Sequence, residues 1–92
     1  MSGAQPADSL RLDRWLHHVR QFRTRTMAAE AIAAGGIRVN GQPCRKPAQT
    51  VRPGDTVTVS VHGRVRVLRV LALGQRRGSA TEAATLYEEI AS

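Results

Sequence analysis

Apolar residues recur along this chain with two different periods, and the change of period divides it. Leu12, Trp15, Leu16 and Val19 fall at i, i+3, i+4 and i+7, one stripe of a helix, with Ser9 as its expected N-cap. Gln21 to Arg25 interrupts the stripe. A second helix is predicted after Thr24 as N-cap, with Met27, Ala28, Ala31 and Ile32 on one face. Gly35-Gly36 ends it, because glycine accepts the left-handed conformation common just past a helix. The pattern predicts a helix-turn-helix pair whose Ala-rich inner surfaces allow close approach.

From Ile37 the period falls towards two. Asn40-Gly41 between short apolar runs is a strong two-residue hairpin signal, while Pro43 and Pro47 weaken the returning strand. Arg52-Pro53-Gly54-Asp55 places Pro and Gly where a type II turn wants them. Val57, Val59 and Val61 then alternate with Thr56, Thr58 and Ser60, which predicts a strand with one buried face. After His62-Gly63, Val65 and Val67 alternate with arginines until Leu68 breaks the phase, so a bulge or a switch of face is expected there.

Ser79 and Glu82 make the S-x-x-E capping box of a last helix, predicted to carry Ala83, Leu86, Tyr87 and Ile90 on its apolar side. Met1 to Asp8, small and polar, reads as a flexible leader. The expected division is therefore a leader over 1–8, a main domain over 9–74, and a loop with a C-terminal helix over 75–92 packed on or beside it.

Charge gives the pattern a purpose. The chain of 92 residues has a formal net charge of +7, and all of its fourteen basic residues but Lys46 are arginine. Arginine grips phosphates in two places at once, so a polyanion is the expected partner. An anionic membrane would call for a large apolar helix face or a lipid anchor, and neither is evident. Cys44 stands alone, which excludes an internal disulfide and a zinc site built on several cysteines. No secretory start and no membrane-spanning apolar run is present, so a cytoplasmic protein is expected.

Eight of the fourteen basic residues fall between Arg11 and Lys46: Arg11, Arg14, Arg20, Arg23, Arg25, Arg38, Arg45 and Lys46. Short connections make the two helices and the hairpin neighbours, so these groups form a spread that suits phosphates on a curved RNA surface. If about six of them neutralise phosphates, log affinity falls against log salt with a slope on the order of −4 to −5.

The elements RLDRWL, RTRTMAAEAI, GGIRVNG and a PGD turn before a strand follow one another from Arg11 to Val61. In that order and spacing they resemble the S-four RNA-binding domain, and QRR followed by SATEAATLYEE resembles the continuation found in its ribosome-associated heat-shock branch. The resemblance implies an α+β, S-four-like fold: a helix-turn-helix pair packed on a small, mostly antiparallel sheet, plus a short C-terminal helix. It also implies docking on structured ribosomal RNA of the large subunit, with a stalled nascent chain or peptidyl-tRNA present, in rescue or recycling under stress. Carried over by position, the RNA-binding candidates are Arg11, Asp13, Arg14, Arg20, Arg23, Thr24, Arg25, Arg38, Asn40 and Lys46. His17 stands where relatives have an aromatic residue and joins the candidates as a surface contact.

The remaining chemistry is sparse. Trp15 lies on the apolar stripe and reads as core rather than as a stacking platform; Tyr87 reads as core, and Phe22 lies in the turn. His17 and His18, about 100° apart on a helix, are poorly placed to share a metal, and Asp13 reads as an arginine-orienting or capping group. No catalytic arrangement, cofactor, metal or small-molecule substrate is expected, and a monomer is. Two other classes stay open on these residues: an accessory module of an RNA-modifying enzyme or assembly factor, and DNA binding through the helix pair.

Overall fold

In the computed structural model, which describes residues 8–90, Leu12, Trp15, Leu16 and Val19 are all buried, and the chain is arranged around them. All of the predicted leader except Asp8 lies outside the described residues. A two-residue strand β1 (Leu10–Arg11) leads into α1 (Leu12–His18), and α2 (Arg25–Ala33) follows the inter-helix turn. The other strands are β2 (Ile37–Val39), β3 (Gln42–Pro43), β4 (Thr50–Val51), β5 (Thr56–Val61) and β6 (Arg64–Val70). A short α3 (Ala80–Ala84) and β7 (Tyr87–Ile90) complete the described chain.

The sheet order is β3-β2-β5-β6-β7, every pair antiparallel, and β1 pairs separately with β4. The helices bury Leu12, Trp15, Leu16, Val19, Ala28 and Ile32 against Ile37, Val51, Val57, Val59, Leu68 and Val70. A fully buried aliphatic or aromatic side chain contributes about 1.5–3 kcal/mol, so this one cluster holds both helices to the sheet.

Thr24 caps α2 as expected, accepting from Met27 N at 3.0 Å, and Gly35 takes the left-handed conformation after it (φ 94°). Asn40 (φ 52°) and Gly41 (φ 81°) make the hairpin turn, and Gly54 (φ 99°) follows Pro53 as a type II turn requires.

Expectations are corrected at Ser9, at Met27 and in the last helix. Ser9 does not cap α1: Arg11 is its N-cap residue, without a side-chain cap bond. The first amides go instead to the segment beside them, Leu12 N to Gln49 O at 2.7 Å and Asp13 N to Pro47 O at 3.2 Å. Met27 is exposed, because a nine-residue helix set over α1 buries only a narrow stripe, Ala28 and Ile32. The β5–β6 register runs unbroken from Thr56↔Arg69 to Val61↔Arg64, so of the bulge or switch of face expected at Leu68 the structure shows the switch. Leu68 and Val70 face the helices, Arg66 shares their face, and Val65 and Val67 lie on the other side.

The last helix stops at Ala84. The capping box forms, but Leu86 lies past the helix end and Tyr87 and Ile90 belong to β7, which pairs with β6 from Val67↔Ile90 to Val70↔Tyr87. Unfilled backbone groups along β6 make a strand the better use of that segment. The segment after residue 75 therefore adds an edge to the same sheet. His18 is buried, with Nδ1 3.0 Å from Leu73 O.

Candidate nucleic-acid interface

The carboxylate of Asp13, in the first turn of α1, is the anchor of the basic surface. It accepts two bonds from Arg11, Nε to Oδ1 at 3.1 Å and Nη2 to Oδ2 at 2.9 Å, and Arg25 Nη2 lies 3.8 Å from Oδ1. Asp13 is 5% exposed at its side chain while Arg11 and Arg25 are 47% and 42% exposed, so the acid is hidden beneath two presented guanidinium groups. Hydrogen bonding to Asp13, then its charge, raises the Arg11 pKa above its ordinary value. Asp13 thus acts as the arginine-orienting group its position suggested.

The second organiser is the start of α2. Thr24 fixes the helix entry, no acidic residue occupies its first turn, and Arg23, Arg25 and Thr26 are exposed around it. A helix N-terminus carries partial positive charge and unpaired amides, so two arginines there make a local field suited to a phosphate. His17, half-buried, adjoins this end. Its pKa is lowered from 6.5, first by burial and then by the charges of Arg77 and His18, with a bond to the Arg23 backbone opposing them.

The other candidates are placed differently. Arg14 is exposed on α1 and makes no ion pair among the described residues. Arg20 has a left-handed backbone (φ 63°) at the end of α1 and donates Nη1 to Gly78 O at 2.8 Å. Its amide bonds His17 O and the Gln21 amide bonds Leu16 O, a Schellman closure that re-aims the chain towards α2. Lys46 is exposed just before the segment that receives the first amides of α1, so it borders the Arg11 end.

Arg38 and Asn40 lie on the hairpin beyond the other end of α2, about 13 Å along a nine-residue helix. Arg38 Nη1 donates to Gly41 O at 3.3 Å. The Asn40 amide is largely committed: Nδ2 donates to Asp55 Oδ1 at 3.1 Å, and Oδ1 accepts from Thr56 N at 2.9 Å. Asp55 also accepts from Arg52 N at 2.9 Å, so Asn40 pins the hairpin turn to the Pro-Gly turn. No hydrogen bond or ion pair among the described residues joins Arg38, Asn40 or Lys46 to the Asp13 cluster.

Arg45 and Arg66 have fixed positions of their own. Arg45 Nη1 lies 3.5 Å from Ala33 O at the end of α2, and its guanidinium packs so close to Gly35 that a Cβ there would sit 2.9 Å from Nη2. Arg66 donates to both Glu89 oxygens, at 3.0 and 2.7 Å, and to Gln21 Oε1 at 3.0 Å, tying the inter-helix turn to the sheet. Arg77 lies half-buried in the basic loop Gln75 to Gly78. Trp15 is fully buried with Nε1 bonded to Ala72 O at 3.0 Å, so it is a core residue. Among the described residues no group of three or more His, Cys, Asp or Glu could hold a metal, and no helix is long and apolar enough to cross a membrane.

The family model described as S4 domain matches residues 10–57. Heat shock protein 15 of Escherichia coli strain K12 is 40% identical over 87 residues, covering 95% of this chain and 65% of that protein. The RQC P-site tRNA stabilizing factor of Listeria monocytogenes serovar 1/2a is 31% identical over 85 residues, covering 90% of this chain and 91% of the relative. A trimeric structure of Vibrio cholerae heat shock protein 15 superposes with a TM-score of 0.84 at 31% identity, over 90% of this chain and 83% of the other. The chain thus spans just under two thirds of the Escherichia coli relative. None of these relatives carries an enzyme's name.

Proposed function

Since the chain belongs to the S4 domain family, we propose that it is a non-enzymatic RNA-binding protein that docks on structured ribosomal RNA of the large subunit. The observation that carries the reading is the pair Arg11 and Arg25, held over the buried Asp13 beside the basic, acid-free start of α2. Preset guanidinium groups contact phosphates with little loss of side-chain freedom, and this is how a small domain without a cleft binds a large polyanion.

The setting we infer is a large subunit that retains peptidyl-tRNA after translation has failed, with rescue or recycling as the outcome and the cytoplasm as the place. The Listeria relative's name, a P-site tRNA stabilizing factor, supports this setting, and the heat-shock name of the other relatives supports a stress context. RNA contact is assigned to Arg11, Arg14, His17, Arg23, Thr24, Arg25, Arg38 and Lys46. Asp13, Arg20 and Asn40 hold the surface in shape from within it. The protein acts as a monomer in this reading, although the Vibrio cholerae relative was described as a trimer.

Sedimentation with separated ribosomal subunits at moderate salt tests the proposal. Binding to the large subunit, strengthened by peptidyl-tRNA, is expected; absence from both forms of the large subunit would overturn the ribosomal assignment.

A further inference from the structure

Side chains from α1 and the turn after it end on carbonyl oxygens of one extended segment. Trp15 Nε1 donates to Ala72 O at 3.0 Å, His18 Nδ1 lies 3.0 Å from Leu73 O, and Arg20 Nη1 donates to Gly78 O at 2.8 Å. Residues 72–78 are therefore fastened along α1, the last point being at the inter-helix turn. Gly74 (φ 75°) lets the segment lie this close, since a Cβ there would come within 2.8 Å of Leu86 Cδ1 and 3.5 Å of His18 Nδ1. The capping box holds the far end: Ser79 N donates to Glu82 Oε1 at 2.9 Å, and the same carboxylate packs against Gly78, where a side chain would collide with it.

The two arginines of this segment have different surroundings. Arg76, 72% exposed, is paired with Glu82 at 3.6 Å. Arg77 is half-buried, makes no ion pair among the described residues, and has its Nε buried with no hydrogen-bond partner. Its charge bears on His17, which also feels Arg25. With no carboxylate paired to it among the described residues, the Arg77 guanidinium keeps its charge available to an anion, and its orphaned Nε marks hydrogen-bonding capacity that the free fold does not use.

We propose that Arg77 is an RNA phosphate-binding residue, presented by the 72–78 strap at the rim of the surface made by His17, Arg23 and Arg25. It lies outside the 10–57 span of the S4 domain, so the C-terminal part of the chain enlarges the binding surface rather than only completing the sheet. This inference rests on the RNA-docking reading above.

The test titrates large-subunit ribosomal RNA with the full chain and with Arg77→Gln, Arg77→Lys and Arg76→Gln, at several salt concentrations. Arg77→Gln is expected to weaken binding several-fold and to flatten the log–log salt slope by about 0.7–0.9, the share of one phosphate contact. Arg77→Lys is expected to keep the slope, and Arg76→Gln to change it less than Arg77→Gln does. A wild-type slope in Arg77→Gln overturns the assignment, whatever its affinity, because lost packing alone releases no fewer counterions. A second readout needs no variant: RNA should protect Arg77 from an arginine-modifying dicarbonyl reagent, as read by mass spectrometry. Equal modification with and without bound RNA overturns the inference while leaving the RNA reading intact; a wild-type chain that does not bind RNA removes both.

Discussion

Asp13 holds Arg11 through two parallel hydrogen bonds, 3.1 and 2.9 Å, from a position where the carboxylate itself is almost closed to solvent. The Asp13 end of the surface thus keeps two positive charges outward and the carboxylate that pairs with them beneath. Asp13→Ala frees Arg11 and Arg25 to sample many rotamers, and each must then be ordered again on binding. RNA affinity is expected to fall roughly five- to tenfold, from the ordering cost of two long side chains. Fluorescence anisotropy with labelled ribosomal RNA measures it, and an unchanged affinity would show that the pair is not used.

Asn40 gives a contrasting case. Its side chain joins two turns and its backbone is left-handed, so Asn40→Ala loses both amide bonds and adds backbone strain. A loss of about 2–3 kcal/mol in unfolding free energy is expected from those terms. Chemical denaturation checks it. A stability loss under about 0.5 kcal/mol, the range of a neutral surface change, would contradict the structural role.

The elements carried by periodicity were legible in advance: the α1 stripe, the Thr24 cap, the Asn40-Gly41 turn and the Ser79–Glu82 box follow from spacing and local chemistry alone. What escaped depended on partners distant in sequence. Ser9 lost the cap because Gln49 and Pro47 carbonyls reach the first amides of α1, and Tyr87–Ile90 became a strand because β6 offered an open edge. Arg66 was legible only as an alternating residue, yet the continuous β5–β6 register puts it on the helix side, where Glu89 and Gln21 receive it. In the site, the arginine types could be read but not their division into presented groups and internal ties. That division follows from which carbonyls and carboxylates the fold brings near.

His17 predicts a pH dependence of defined sign. Its folded pKa is lowered from 6.5, so the unfolded chain takes up its proton first as pH falls. The stability contribution is present above about pH 6.5 and is lost as pH drops through the lowered folded value. Thermal unfolding of His17→Gln should therefore show a shallower loss between pH 7.5 and pH 5.5. RNA affinity should move the other way: a phosphate near His17 favours the protonated ring, so binding strengthens on acidification in the wild type more than in His17→Gln. Parallel pH profiles in the two proteins would remove His17 from the surface.

The most direct measurement is equilibrium binding of Arg23→Glu/Arg25→Glu to large-subunit ribosomal RNA, with duplex DNA as competitor at matched salt and circular dichroism to follow the fold. Both side chains are exposed at the start of α2, so the double reversal should leave the spectrum native, abolish RNA binding, and leave wild-type protein with a clear preference for RNA. Wild-type affinity in a folded double variant, or a wild-type preference for DNA, would contradict an RNA-docking surface built on the Asp13–Arg25 end of the helix pair.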